Sequence, residues 1–184
     1  MIPNWWLIKK RRINALPTTI VANPSVELGT SEPAAWFHST NTEWVSGDAA
    51  DGDKSLRINV NGATADWRTA LFTIAPGWHR FGLSVKGQGD IVTVLAFRWF
   101  SDVAGNDYVG EQWLVLDQNY SDWRAVDEHI EVPATTIRGD LMFRAAFTTT
   151  VDVLGDLFFV EPVETFNYSF EFDSMHNSGY LGWL

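Results

Sequence analysis

The 184-residue chain has no cysteine. That excludes a disulfide framework, a thiolate nucleophile and any metal site built on thiolates, and it fits synthesis in a reducing compartment. Charged residues make up only 20% of the chain, and basic ones are the scarcer kind: 13 Lys and Arg stand against 23 Asp and Glu, for a net charge of −10. A body of that sign repels nucleic acid and anionic membrane. No apolar run approaches the ~18 residues of a membrane helix, so no membrane insertion is expected. The opening Met1-Ile-Pro-Asn-Trp-Trp-Leu-Ile-Lys-Lys-Arg-Arg12 runs apolar first and basic second, the reverse of a secretory signal.

Catalytic patterns are missing as well. His38, His79, His129 and His176 are far apart and show no spacing suited to a shared metal. There is no Gly-x-Ser-x-Gly elbow. Gly87-x-Gly89 sits where a hairpin turn is expected, not between a strand and a helix, so it is no nucleotide loop. Asp51 and Asp53 could pair as glycosidase carboxylates, but in an acidic β protein they read as solvated loop acids. The chain is expected to be non-enzymatic.

What the chain does have is aromatic residues and short strand signals. It holds 10 Trp and 12 Phe, enough to fill a core and leave some for a surface. Leu56–Val60 and Phe81–Lys86 alternate apolar and polar, as half-buried strands do. Ile91–Phe100 is apolar on both faces, which suggests a central strand covered on both sides, with a ligand as one candidate cover. Further strands are expected at Gln112–Leu116, Trp123–Val126, His129–Val132, Leu141–Phe147 and Leu157–Val160. The loops between carry Gly, Asn, Asp and Pro, with a turn at Gly87–Asp90. No amphipathic helix exceeds two turns. The pattern predicts an all-β fold, a jelly-roll β-sandwich with extended N- and C-terminal arms.

Residues 1–19 read as a docking arm, 20–162 as the jelly roll, and 163–184 as a linker, a donated strand or the start of a second repeat. The last option rests on Asn23-Pro-Ser-Val-Glu27 returning as Asn167-Tyr-Ser-Phe-Glu171 about one domain later. Trp5 and Trp6 beside Leu7 and Ile8 are costly to leave in water, and Arg11 and Arg12 suit an acidic partner. These four residues, Trp5, Trp6, Arg11 and Arg12, are the candidate partner-docking set, for another subunit or a second copy of the chain.

Several motifs occur in an order that carries a resemblance. Asn23-Pro-Ser-Val-Glu27-Leu-Gly29 is followed by Trp36, then by Gly52-Asp53-Lys54-Ser55-Leu56-Arg57, Trp67, Ile74-Ala-Pro-Gly77-Trp-His-Arg-Phe81, Trp123 before Val126, and Gly155-Asp156-Leu-Phe-Phe-Val160. Over residues 20–162 the series resembles the jelly-roll carbohydrate-binding modules with the galactose-binding-domain-like fold. It departs from them in having Val26 for a Phe and Gly155 for a second acid.

The resemblance implies a structural Ca²⁺ held by Glu27, Asp53, the Lys54 carbonyl and Asp156, since calcium takes six to eight hard oxygens. It also implies a sugar site on the concave sheet face or its loops. Aromatic rings would stack on sugar C–H faces while polar groups address the hydroxyls. The candidates are Trp67, Trp99, Tyr108, Gln112 and Trp113, with Arg98 expected on the face opposite Trp99. Such modules are similar to domains in phage tail, minor tail and capsid decoration proteins. The expectation is therefore a virion structural protein that binds host-surface glycans. The alternative is the carbohydrate-binding module of a secreted polysaccharide-degrading enzyme.

Overall fold

A computed structural model describes residues 19–146 and 150–163. All regular structure among them is β. The strands are β1 (Trp36–His38), β2 (Thr42–Ser46), β3 (Lys54–Val60), β4 (Ala65–Thr69), β5 (Phe72–Thr73), β6 (Gly77–Gln88), β7 (Thr93–Phe100), β8 (Tyr108–Val115), β9 (Asn119–Val132), β10 (Arg138–Ala145) and β11 (Val151–Pro162). One sheet runs β1-β4-β10-β7-β8, with β5 also paired to β10; the other runs β2-β3-β11-β6-β9. All their pairings are antiparallel. The two sheets close on one core, giving the jelly-roll sandwich that the strand pattern predicts.

Alternation decides what lies between the sheets. On β6 the inward set is His79, Phe81, Leu83 and Val85; on β7 it is Leu95, Phe97 and Trp99; on β10 it is Leu141, Phe143 and Ala145. Phe97 meets Phe81 at 5.5 Å between ring centres, and Phe143 meets Phe158 at 5.9 Å. Tilted aromatic pairs of this kind favour packing beyond the area they bury.

The opening motif is a tied loop. The Asn23 side-chain amide donates to the Leu28 and Ala34 carbonyls and accepts from the Leu28 amide. The Trp36 indole donates to the Asn23 carbonyl, and the Trp44 indole to that of Val26. Val26 itself is fully buried, at a φ of 51° that a β-branched residue rarely adopts. These bonds fix the loop around one core side chain.

Some expectations need correction. Trp123–Val126 and His129–Val132 are one long strand, β9, because both halves pair continuously with β6. Ile91 and Val92 precede β7 in a turn. The expected turn at Gly87–Asp90 begins later, since Gly87 and Gln88 still belong to β6. Gly87 sits at a register shift with φ +105°, and a Cβ there would lie 2.3 Å from the Asp152 carbonyl. The short strands β1, β2, β4 and β5 had no sequence signal. Trp5, Trp6, Arg11, Arg12, Phe147 and residues 164–184 lie outside the described residues.

Candidate functional site

The outward face of the β1-β4-β10-β7-β8 sheet carries the most chemistry. Directly opposed residues of antiparallel strands share a face. Phe37, Arg68, Met142, Ala96 and Trp113 are successive cross-strand partners and form one row across all five strands. Its ends lie roughly 19 Å apart, four strand spacings of about 4.8 Å. Both end rings are open to solvent, Phe37 at 63% and Trp113 at 55% exposure. Between them Val94, Ala96 and Met142 form a small buried cluster of their own. It accounts for the second apolar face of β7.

The neighbouring row is polar: Asp140, Arg98 and Glu111. Arg98 gives Nε to one Asp140 oxygen at 2.8 Å and Nη2 to the other. Asp140 is 5% exposed. Burial works against the Arg98 charge, but the Asp140 hydrogen bonds and charge outweigh it, with Glu111 and Asp66 adding, and hold the guanidinium above its ordinary range. Arg98 also lies 5.7 Å over the Phe100 ring, which meets Tyr108 edge-on at 6.1 Å. Tyr108 is 53% exposed, and desolvation together with Glu111 raises its phenol above the usual value. The Trp113 indole donates to Glu111 at 2.7 Å, which fixes the ring over the edge strand.

An open depression of about 410 Å³ lies between β1 and the β7–β8 loop. Arg98 and Asp140 contribute to its lining, with Phe37, Leu71 and Phe100 as its apolar part and Arg68 as a second guanidinium. An open, aromatic-edged trough with a fixed charged pair can take a flat, hydroxyl-rich ligand.

The sequence candidates divide. Tyr108 and Trp113 are on this face, as is Arg98, opposite in direction to Trp99 as expected. Trp99 is 6% exposed and packs edge-on to Phe97 in the core at 5.7 Å. Trp67 is 2% exposed and spends its indole hydrogen on the Arg57 carbonyl. Both rings are core, with no face left for a ligand. Gln112 pairs with the inward-facing Phe97, so it points away from Trp113. Phe37, Arg68, Phe100, Glu111 and Asp140 were missed. Once Phe97 and Leu141 are assigned inward, alternation alone turns Arg98, Phe100 and Asp140 outward. Nothing in the sequence gives the register that aligns Phe37 with Trp113.

The residues expected to hold calcium lie in the opening loop, the β2–β3 loop, the start of β3 and β11. Glu27 Oε1 accepts the amides of Asp53 and Lys54 at 2.9 and 2.6 Å. The Asp156 carboxylate accepts those of Ala50, Asp51 and Leu157. Asp53 accepts the Gly47 amide. A Cβ on Gly52 would lie 2.5 Å from Glu27 Oε1. Each carboxylate is turned to N–H donors, and no group of three or more acid, His or Cys side chains among the described residues has metal-holding geometry. In this arrangement Glu27 Oε1, Asp53 Oδ1 and both Asp156 oxygens accept amide hydrogens. The result is an amide-capped clasp that ties the opening loop and the β2–β3 loop to β11. Burial, with the Glu27 charge adding to it, pushes Asp156 up to about 6 against the opposing pull of the three amides.

No protein-family model matches the chain, and no curated protein matches it at a significant level. Solved structures do match. The enzymatically active domain of bacteriophage CBA120 tailspike protein 4 is similar at TM-score 0.60 and 15% identity, over 79% of this chain and 21% of that one. This chain thus spans only about a fifth of the tailspike domain. A Family 16 Carbohydrate Binding Module-2 is similar at TM-score 0.53 and 17% identity, over 77% of this chain and 99% of the module. TmCBM61, solved in complex with beta-1,4-galactotriose, is similar at TM-score 0.51 and 14% identity, over 79% and 99%. At these identities the likeness is one of fold: the described domain has the β-sandwich jelly roll of carbohydrate-binding modules.

Proposed function

We propose that the chain is a non-enzymatic carbohydrate-binding module whose ligand lies across the outward face of the β1-β4-β10-β7-β8 sheet. The observation that carries this is the Arg98–Asp140 pair in the lining of an open trough, with Phe37 exposed in that lining and Tyr108 and Trp113 exposed on the same face of the sheet. Exposed rings on one face stack on sugar C–H surfaces. The fixed charged groups supply directional hydrogen bonds to hydroxyls. The roughly 19 Å between Phe37 and Trp113, four strand spacings, suits an extended chain of several sugars rather than one.

The setting we propose is a phage particle, in a tail or capsid decoration protein that brings the particle to host-surface glycans. The likeness to a tailspike domain supports it, as does the basic aromatic arm, with Trp5, Trp6, Arg11 and Arg12 docking to neighbouring subunits. The second reading, a module of a polysaccharide-degrading enzyme, draws on the two binding modules matched over nearly their whole length. A glycan array with the purified chain tests the shared part: retention of defined glycans supports the reading, and a blank array overturns it. Incubation of retained glycans with the chain should release no shorter products; release would make the protein an enzyme.

A further inference from the structure

We infer that the trough selects a carboxylated sugar, a uronic or sialic type of residue, through the paired arginines Arg68 and Arg98. The inference rests on the glycan-binding reading above and names the class of ligand.

The two arginines are held alike. Arg68 gives Nε to Asp66 Oδ1 at 3.0 Å and Nη2 to Asp66 Oδ2 at 3.3 Å. Arg98 gives the same two nitrogens to the two oxygens of Asp140. Each guanidinium is therefore engaged along one side. Its Nη1 has no hydrogen-bond partner among the described residues, and Nη2 keeps a second hydrogen. The planar fork has five N–H donors, so the remaining end can take a second carboxylate in bidentate fashion. The side-on pairing also fixes the group beforehand, so less rotamer freedom is lost on binding.

The carboxylates near the trough are each turned to a donor of the chain itself. The trough lining holds Arg68 and Arg98 against the single carboxylate of Asp140, in a chain of net charge −10. Asp66 is turned to Arg68, and Glu111 lies beyond Arg98 on β8, engaged with the Trp113 indole. The β1 side, where Phe37 and Leu71 form the wall, has no acid of its own in the lining. An anion placed there meets two donor-rich guanidiniums and an apolar wall for the ring that carries it.

The test compares acidic oligosaccharides, bearing galacturonate, glucuronate or sialic acid, with the same molecules after carboxyl reduction to the alcohol. Calorimetric titration of the full chain should show at least one acid form bound about tenfold or more tightly than its reduced twin, the size expected for a charge-assisted pair. That preference should shrink with added salt. Arg68→Gln, with its fold checked by thermal midpoint, should bring the ratio close to one. Should that variant fail to fold, Arg68→Lys keeps the charge, loses the fork and should still lower the ratio. Equal binding of acid and reduced forms by the wild type overturns this inference and leaves the glycan-binding reading standing. Failure of every glycan to bind, acidic or neutral, overturns both.

Discussion

Arg98 on β7 and Asp140 on β10 are cross-strand partners joined by two parallel hydrogen bonds on the outward face of their sheet. The pair is largely removed from water, with side-chain exposures of 18% and 7%. Removing one member leaves the other as a buried, unpaired charge. Asp140→Ala is expected to destabilise the domain by about 3–5 kcal/mol. A denaturant unfolding curve measures this. A change under about 1 kcal/mol would show that water reaches Arg98 freely.

The exposed and buried tryptophans should behave oppositely. Trp113 is more than half exposed, so Trp113→Ala should change stability by about 0.5 kcal/mol or less while lowering glycan affinity. Trp67→Ala empties a core position and should cost about 3–5 kcal/mol. Thermal melts of the two variants side by side test the assignment. Similar losses for both would place Trp113 in the packing.

Asp156 gives the pH dependence. Its carboxyl is raised from 3.8 to about 6, first by burial. The folded state therefore holds this proton more tightly than the unfolded state. The group's contribution to stability is complete below about pH 4, falls as pH rises, and is gone above about pH 6, a span of roughly 2–4 kcal/mol. Carbon-13 NMR of the labelled carboxyl should show a midpoint near 6. A midpoint near 4 would mean that the three amides fully offset burial.

The clasp formed by Glu27, Asp53, Lys54 and Asp156 is closed by backbone amides, so it should not need a metal. Thermal midpoints in excess Ca²⁺ and in chelator should agree. A rise of several degrees with Ca²⁺ would show that the cation displaces the amides and binds the folded state.

The sandwich was legible because alternation in Phe81–Lys86 and Leu56–Val60 depends on local burial alone. The opening motif was legible because Asn23, Glu27 and Trp36 act within one loop and on fixed neighbours. The candidate face was only half legible. Tyr108 and Trp113 were found as aromatic residues, yet Trp67 and Trp99 look the same in sequence and lie inward. Neighbouring residues such as Gln112 and Trp113 point to opposite faces, and which faces the core depends on pairing with β7. The row from Phe37 to Trp113 joins residues far apart in the chain through four registers, and local pattern contains none of them.

Affinity electrophoresis through gels containing a panel of neutral and acidic polysaccharides asks whether glycans bind on the face bearing Trp113 and the Arg98–Asp140 pair. Wild-type protein should be retarded in at least one gel, and Trp113→Ala, with an unchanged thermal midpoint, should run free in that gel. Retardation that persists in the variant, or none for the wild type in any gel, would contradict the account.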